Sequence, residues 1–227
     1  MSPVDAALLV VAKAPVPGLA KTRLAASIGP EAAAELAAAA MVDTLMAVRD
    51  AEVSTRIVAL TGDLGRACRS DELVELLAAC IVIGQTGAGL GERLAAAHRD
   101  AAHIVPGPVL QIGMDTPQVT PALLTEAATV LADGEADAVF GPASDGGWWA
   151  LGMANPNLAG FLAGVAMSQD DTGSQTLDGL RRVCRSVTEL ATLTDVDTID
   201  DVWSVASGLD PDSRFRQAAE AARATNW

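Results

Sequence analysis

The sequence predicts a single-domain, three-layer α/β/α fold in which helices cover both faces of a mostly parallel, mixed sheet. Short apolar runs that suit strands alternate with longer segments that suit helices, a pattern typical of right-handed βαβ units. Two strands, at 138–141 and 148–151, follow each other too closely for that alternation, so the second half should be mixed. We find no internal repeat or linker and expect one domain spanning residues 1–227.

The elements follow in a regular order. Residues 7–12 form a continuous apolar run, as expected of a strand that is buried on both faces. Pro30 then opens an alanine-rich helix that continues to about residue 49. Further strands are predicted at 56–60, 80–83 and 109–113, and helices at 71–79, 92–102, 121–131 and over roughly the last 30 residues.

Composition excludes several classes of protein. The net charge of −14 argues against a nucleic-acid partner, and a chain with no Tyr and three Phe lacks a platform for stacking bases. No apolar run is long enough to span a bilayer, and we see no secretory signal. Three isolated cysteines fit thiols in a reducing compartment, so we expect a cytoplasmic protein.

Loops at 13–23, 84–91, 114–117 and 142–147 each follow a predicted strand. Ligands of open α/β sheets bind outside the carboxyl ends of the strands. We therefore expect these four loops to meet at one site.

The first loop carries three cations, Lys13, Lys21 and Arg23, on a segment stiffened by Pro15 and Pro17. Lysine offers a mobile point charge and arginine a bidentate fork, and a polyphosphate needs both. The loop matches neither the Walker A pattern nor GxGxxG. The alternative is an exposed basic loop without a ligand.

Two acidic segments are candidates for a metal site. Asp115 follows a buried strand, and Thr120 is the better cap for the helix that starts at Pro121, so Asp115 has no evident structural role. Asp195 and Asp197 precede a predicted helix, where they could instead belong to a capped helix start. If the fold brings the three carboxylates together, they form an oxygen-only site that suits Mg²⁺.

Two glycine-rich loops supply weaker candidates. Asp145 lies in a turn before two glycines, where it could orient an acceptor hydroxyl, act as a base, or only form the turn. The loop that ends at Gly91 could contact a nucleotide, with Arg93 as a further contact, or it could be a simple connection. The two histidines, His98 and His103, are interpreted as structural or surface residues.

Taken in order, these motifs resemble the glycosyltransferase-like DUF2064 family, also described as radical-SAM/selenodomain-associated glycosyltransferases. The motifs are KAPVPGLAKTRL at 13–24, GLGER at 89–93, IGMDTP at 112–117, GPASDGGWW at 141–149 and DVDT at 195–198. Parts of the set are also similar to phospholactate/phosphoenolpyruvate guanylyltransferases and to molybdenum-cofactor nucleotidyltransferases. The resemblance implies a nucleotide-diphospho-sugar transferase (GT-A type) fold.

The resemblance also implies roles for these residues. Asp115, Asp195 and Asp197 would bind Mg²⁺ or Mn²⁺. Independently of the resemblance, we expect Asp145, Lys21 and Arg23 to act in catalysis. Contacts to the nucleotide would come from the first loop and from the glycine-rich loop, through Lys13, Pro17, Gly18, Lys21, Thr22, Arg23, Gly91 and Arg93.

The function expected from these roles is transfer from a nucleotide-activated donor, first of all a nucleotide sugar, to a small-molecule acceptor. Nucleotidyl transfer with release of pyrophosphate stays open, because glycosyltransferases of this fold carry a second acid at the strand end and here Asp115 stands alone. A non-catalytic nucleotide-binding partner protein is the third alternative. A homodimer is compatible with the sequence.

Overall fold

The computed structural model describes residues 2–225 of the chain. The strands are β1 (Val4–Lys13), β2 (Val53–Thr61), β3 (Ile81–Gly84), β4 (Val109–Gly113), β5 (Ala138–Pro142), β6 (Trp148–Met153) and β7 (Val187–Glu189). The helices are α1 (Thr22–Ile28), α2 (Pro30–Asp50), α3 (Ser70–Leu77), α4 (Leu90–Ile104), α5 (Pro121–Ala132), α6 (Thr172–Val183), α7 (Ile199–Gly208) and α8 (Arg214–Thr225). Two 3₁₀ segments cover Leu64–Arg66 and Pro156–Gly164.

The strands form one mixed sheet in the order β3-β2-β1-β4-β6-β5-β7. β1 pairs in parallel with both β2 and β4, and β2 pairs in parallel with β3. β6 is inserted between β4 and β5 and runs antiparallel to both. Since β6 points the other way, its first residue reaches the edge at which β1, β4 and β5 end. The mixed character expected of the second half is confirmed.

Both faces of the sheet are covered. Leu8 and Val10 of β1 pack with α2, α3 and α5 in one core cluster, whereas Leu9 packs with α4 in another. The 3₁₀ segment Pro156–Gly164 and α6 pack on the α4 side of the sheet. α7 and α8 form a further cluster with α1 and α2. The three-layer α/β/α prediction and the double burial of the first strand are confirmed.

Three of the described helices and strands were not predicted: α1, α6 and β7. α6 covers Thr172–Val183, a segment to which we assigned no element, whereas α1 and β7 are too short to carry a periodic pattern. α1 has seven residues; it begins at Thr22, within the predicted first loop, and ends at Ile28, before the helix predicted from Pro30. β7 has three residues, none of them buried, and pairs with β5 at the edge of the sheet. Among the described helices, none is long and apolar enough to cross a membrane.

His98 is fully buried in α4, and neither of its ring nitrogens has a hydrogen-bond partner among the described residues. Burial disfavours the charged imidazolium and lowers the pKa of His98 to about 4. His103, five residues further along α4, is exposed. The structural interpretation of His98 therefore agrees with its position in the core.

This burial makes the stability of the protein depend on pH. The unfolded chain binds the His98 proton near its ordinary pKa of 6.5, whereas the folded chain binds it only near 4. Stability is therefore lost as the pH falls from about 6.5 to 4. We predict that the free energy of unfolding of the wild type falls by about 3 kcal/mol relative to His98→Leu between pH 7 and 4. Urea unfolding of both proteins measures it, and parallel pH profiles would contradict it.

Candidate functional site

A cleft of about 930 Å³ opens at the edge of the sheet where β1 and β4 end. All four of the loops that we expected to meet contribute residues to it, among them Lys21, Gln85, Asp115 and Asp145. Trp148, the first residue of β6, lines the same cleft, whereas Trp149 is almost fully buried and belongs mainly to the core. This cleft is the candidate site.

The end of β4 delivers Asp115 to the cleft. Thr120 caps α5, because its side chain accepts a hydrogen bond from the Leu123 amide at 3.1 Å. Asp115 thus has no part in starting that helix. The structure brings its carboxylate within 2.7 Å of the Lys21 ammonium nitrogen instead.

Asp195 and Asp197 are also free of the helix that follows them. Thr198 caps α7 in a capping box with Asp201, the reciprocal arrangement that satisfies both backbone amides. Val196, between the two acids, is buried in the cluster of α1, α2, α7 and α8 and anchors the segment. The interpretation that a cap explains this segment therefore applies to Thr198 and Asp201 alone.

Lys21 is the centre of the site. Its ammonium nitrogen lies 2.7 Å from a carboxylate oxygen of Asp115, 3.0 Å from Asp197 and 3.5 Å from Asp195. Only 13% of the side chain is exposed. The first-loop lysine that we predicted as a phosphate ligand is thus bound to the three predicted metal ligands.

The electrostatics of this arrangement are unbalanced. Burial alone would lower the pKa of Lys21, but the charges of Asp115, Asp195 and Asp197 raise it well above the ordinary value. Burial opposes ionisation of Asp115, yet the Lys21 charge and hydrogen bond hold its pKa below the ordinary range. Burial and the Asp115 charge raise the pKa of Asp195 to about 7. Three carboxylates face one ammonium group, and the repulsion between the carboxylates is one cause of the raised pKa of Asp195.

Asp145 joins this group from the turn after β5. One oxygen from each of Asp145, Asp195 and Asp197 lies within 4.8 Å of the others, close enough for one ion to contact all three. We call the four carboxylates of Asp115, Asp145, Asp195 and Asp197 the acid cluster. The sequence assigned Asp145 to the acceptor, whereas the structure groups it with the candidate metal ligands.

The turn that carries Asp145 is held from both sides. Oδ1 of Asp145 accepts a hydrogen bond from the Gly147 amide at 2.9 Å. The Gly173 amide at the start of α6 donates to the Gly146 carbonyl at 2.7 Å. Gly146 has a φ of 88°, and a Cβ added there would overlap the carbonyl oxygen of Asp170. Only glycine suits this position, which fixes Asp145 beside Asp195.

The other first-loop candidates differ in their exposure and in their contacts. Arg23 is largely exposed, and its Nη1 contacts Asp197 at 3.3 Å. Lys13 donates to the Leu19 carbonyl at 2.8 Å, and both Lys13 and Thr22 line the cleft. Pro17 and Gly18 form the turn ahead of α1, closed by a hydrogen bond from the Leu19 amide to the Val16 carbonyl. Lys13 and Arg23 keep donors available to a ligand.

Of the two predicted nucleotide contacts near the glycine-rich loop, Arg93 lines the cleft and Gly91 does not. Arg93 lines the cleft, and its Nε donates to the Gly87 carbonyl at 3.2 Å. Gly91 is buried, and a Cβ added to it would overlap the carbonyl oxygen of Leu162. The structure thus explains this glycine by close packing of α4 on the 3₁₀ segment.

Gln111 and Ser168 are two of the cleft residues that we did not predict as site residues. Gln111 lies in the middle of β4, and its buried Oε1 has no hydrogen-bond partner among the described residues. Its signal was a polar residue within an apolar strand, VLQIG. Ser168 lines the cleft with a left-handed backbone, φ 59°, and its position shows only in the structure. Strain of this kind gathers at ligand sites.

The residues present fit a divalent metal. The donor set consists of carboxylate oxygens, which hard cations such as Mg²⁺ and Mn²⁺ accept. The Lys21 ammonium group is itself a cation bound by three of these carboxylates, so it stands in for a metal ion there.

Residues 44–169, more than half of the chain, match the family described as "Uncharacterized protein conserved in bacteria (DUF2064)". The chain belongs to the DUF2064 family. This confirms the resemblance inferred from the motifs. The matched segment contains Asp115 and Asp145 but not Lys21, Asp195 or Asp197. No curated protein matches this DUF2064 chain in sequence.

Solved structures support the fold of this DUF2064 protein. One, from Desulfovibrio desulfuricans G20 and provisionally described as a nucleotide-diphospho-sugar transferase, is 26% identical with a TM-score of 0.80, over 97% of this chain and 94% of that one. Rv0371c from Mycobacterium tuberculosis H37Rv, in complex with manganese, is 19% identical with a TM-score of 0.53, over 90% and 100%. A CMP:2-keto-3-deoxy-manno-octonic acid synthetase bound to CTP is 12% identical with a TM-score of 0.54, over 95% and 99%. At the latter two identities the likeness shows the fold, and the GT-A type prediction is confirmed.

The turn that holds Asp145 can be tested directly. We predict that Gly146→Ala destabilises the protein by about 3 kcal/mol or more, because it combines a strained φ with overlap at the Asp170 carbonyl. Gly134→Ala is the matched control: Gly134 also has a positive φ, 72°, but its added Cβ meets no atom within 4 Å. Its cost should be only about 1 kcal/mol. Equal losses in urea unfolding would show that the close approach of Gly146 to Asp170 does not hold the turn.

Proposed function

We propose that this protein is a divalent-metal-dependent transferase that uses a nucleotide-activated donor, most readily a nucleotide sugar. The observation that carries the proposal is the convergence of Asp145, Asp195 and Asp197 within 4.8 Å in a cleft of about 930 Å³. Ligand clefts run to about 1,000 Å³, so a whole nucleotide sugar is a suitable occupant. The carboxylates would repel a diphosphate, so a metal ion between them would have to mediate its binding.

Asp145, Asp195 and Asp197 are the residues that would hold the metal, with Mg²⁺ as the first choice and Mn²⁺ as the alternative. Asp115 is linked to these acids by Lys21, whose ammonium nitrogen lies 2.7 Å from Asp115 and also contacts Asp195 and Asp197. When bound, the ion neutralises phosphate charge and polarises the leaving group. The other functional groups come from the chain itself.

The first loop would hold the phosphates. Lys13 and Arg23 line the same cleft as the acid cluster, and the Thr22 hydroxyl is a third donor. Arg23 can bridge Asp197 and a phosphate oxygen, since one guanidinium carries five N–H donors. Positioning and charge stabilisation of this kind account for most of the catalysis in group transfer from a diphosphate.

The donor class rests on the relative from Desulfovibrio desulfuricans, which is 26% identical over nearly the whole chain and provisionally described as a nucleotide-diphospho-sugar transferase. Arg93 and the loop around Gly87 are the candidates for contacts to the nucleoside, because Arg93 lines the cleft and donates to the Gly87 carbonyl. A small-molecule acceptor would enter beside Asp145 and Trp148. We further propose a single cytoplasmic domain as the working unit.

Nucleotidyl transfer is the second candidate. Glycosyltransferases of this fold carry a second acid at the strand end, but here Asp115 is the single acid after β4 and Gly113 stands two residues before it. The same cleft and cluster would then hold a nucleoside triphosphate, and pyrophosphate would leave. Products separate the two reactions: glycosyl transfer from a nucleotide sugar releases a nucleoside diphosphate or monophosphate, and nucleotidyl transfer releases pyrophosphate.

Asp145 allows a test of the metal site, because Asp145→Asn keeps an oxygen to accept the Gly147 hydrogen bond and removes only the charge. We predict that this variant binds Mn²⁺ at least about 10-fold more weakly than the wild type, the loss that corresponds to about 1.4 kcal/mol. Calorimetric titration with MnCl₂ measures it. A residue that served only as a base would leave Mn²⁺ affinity unchanged.

Asp170→Asn is the matched control, because Asp170 lines the same cleft but lies outside the acid cluster. Its Mn²⁺ affinity should equal that of the wild type. The donor is then identified by thermal shift with UDP-glucose, GDP-mannose and the four nucleoside triphosphates, each with and without MgCl₂. If none of them raises the Tm in the presence of MgCl₂, the proposed function is wrong.

A further inference from the structure

Lys21 and the proposed metal draw on the same carboxylates. The ammonium nitrogen lies 3.0 Å from Asp197 and 3.5 Å from Asp195, and both acids also belong to the metal-capable group with Asp145. A Mg²⁺ ion sits about 2.1 Å from its oxygen ligands. An ion on these oxygens would therefore lie within a few ångströms of the ammonium group, and the two cations would repel each other at low solvent exposure.

The backbone of Lys21 is held in an unusual conformation. Its φ of 43° and ψ of 52° place a long, non-glycine side chain in the left-handed region, directly before α1. Such strain persists only where surrounding contacts impose it. The Lys21 ammonium group makes the three ion pairs, and the Lys21 carbonyl accepts a hydrogen bond from the Ala25 amide at 2.9 Å, although the side chain does not cap α1. The ion pairs are therefore part of what holds this conformation.

The choice of residue also singles out this position. Lys21 and Lys13 are the two lysines of the chain, which otherwise uses arginine. An ammonium group is a compact point charge with three donors on a flexible stem, whereas a guanidinium is a planar fork. Three donors match the three carboxylates that surround Lys21, and a flexible stem allows the group to leave them.

We infer that the Lys21 ammonium group occupies the acid cluster in the metal-free protein and competes with the divalent cation for Asp195 and Asp197. The inference rests on the proposed function. Metal binding displaces the ammonium group toward the open cleft, where it meets the donor phosphates. Lys21 thus acts as a positioning residue that keeps the acids together before the metal arrives and couples metal binding to donor binding.

The test compares Mn²⁺ affinity in wild type, Lys21→Met and Lys13→Met by calorimetry, without nucleotide. Methionine keeps the length of the stem and removes the charge. Lys21→Met should bind Mn²⁺ at least 10-fold more tightly than the wild type, because the competing cation is gone. Lys13→Met controls for loss of any nearby charge and should match the wild type, since Lys13 contacts the Leu19 carbonyl and no acid of the cluster.

Each alternative outcome has a separate meaning. Equal Mn²⁺ affinity in wild type and Lys21→Met would overturn the competition and leave the metal site intact. A gain of the same size in Lys13→Met would also overturn it, because general electrostatics would then explain both. If neither wild type nor Lys21→Met binds Mn²⁺, the proposed metal site fails as well.

Two further readouts keep the inference testable if Lys21→Met is unstable without metal. The ion should replace the missing charge, so Mn²⁺ should raise the Tm of the variant more than that of the wild type. A variant that stays unfolded in saturating Mn²⁺ contradicts the inference. In ¹⁵N-labelled wild type, Mg²⁺ should shift or broaden the Lys21 ammonium resonance and spare that of Lys13. An unchanged Lys21 resonance in the Mg²⁺-bound protein contradicts it too.

Discussion

The four carboxylates of the acid cluster repel one another, and the rest of the structure must hold them together. They lie at the ends of β4 and β5 and before α7. In a half-buried cleft, like charges this close oppose folding unless cations offset them. Lys21 supplies one such charge, at 2.7–3.5 Å from three of the acids. The negative charge that Lys21 does not offset destabilises the folded protein, and it leaves the cleft able to bind a further cation.

The rest of the fold serves to hold these charges in place. β6 runs antiparallel between β4 and β5, and this inserted strand sets the spacing between Asp115 and Asp145. Thr120 caps α5 and the Thr198–Asp201 capping box caps α7, so the side chains of Asp115, Asp195 and Asp197 are not used as helix caps. The close contact of Gly146 with Asp170 and the burial of Val196 fix the last two segments. Helix caps and packing thereby decide which carboxylates face the cleft.

Much of this could be predicted, for local reasons. Thr120 outranks Asp115 as a cap, and strand-end loops of a parallel sheet meet at one edge, so the position of the site followed from the sequence. The partnership of Lys21 could not be predicted, because it joins residues 94 to 176 positions apart through a left-handed backbone. The place of Asp145 beside Asp195 and Asp197 could not be predicted for the same reason, because it depends on the approach of α6 to a turn. Gln111 was missed: a polar residue in an apolar strand is visible in the sequence, but only the fold shows that it reaches the cleft.

We propose that the acid cluster is a cation site built from three separate segments. Anomalous X-ray diffraction at the manganese edge, from crystals of the wild type grown with MnCl₂, tests this. We expect one strong peak within about 2.5 Å of oxygens from Asp145, Asp195 and Asp197, with the Lys21 side chain moved away from them. A peak elsewhere in the cleft, or no peak with Lys21 still bound to the three acids, would contradict it.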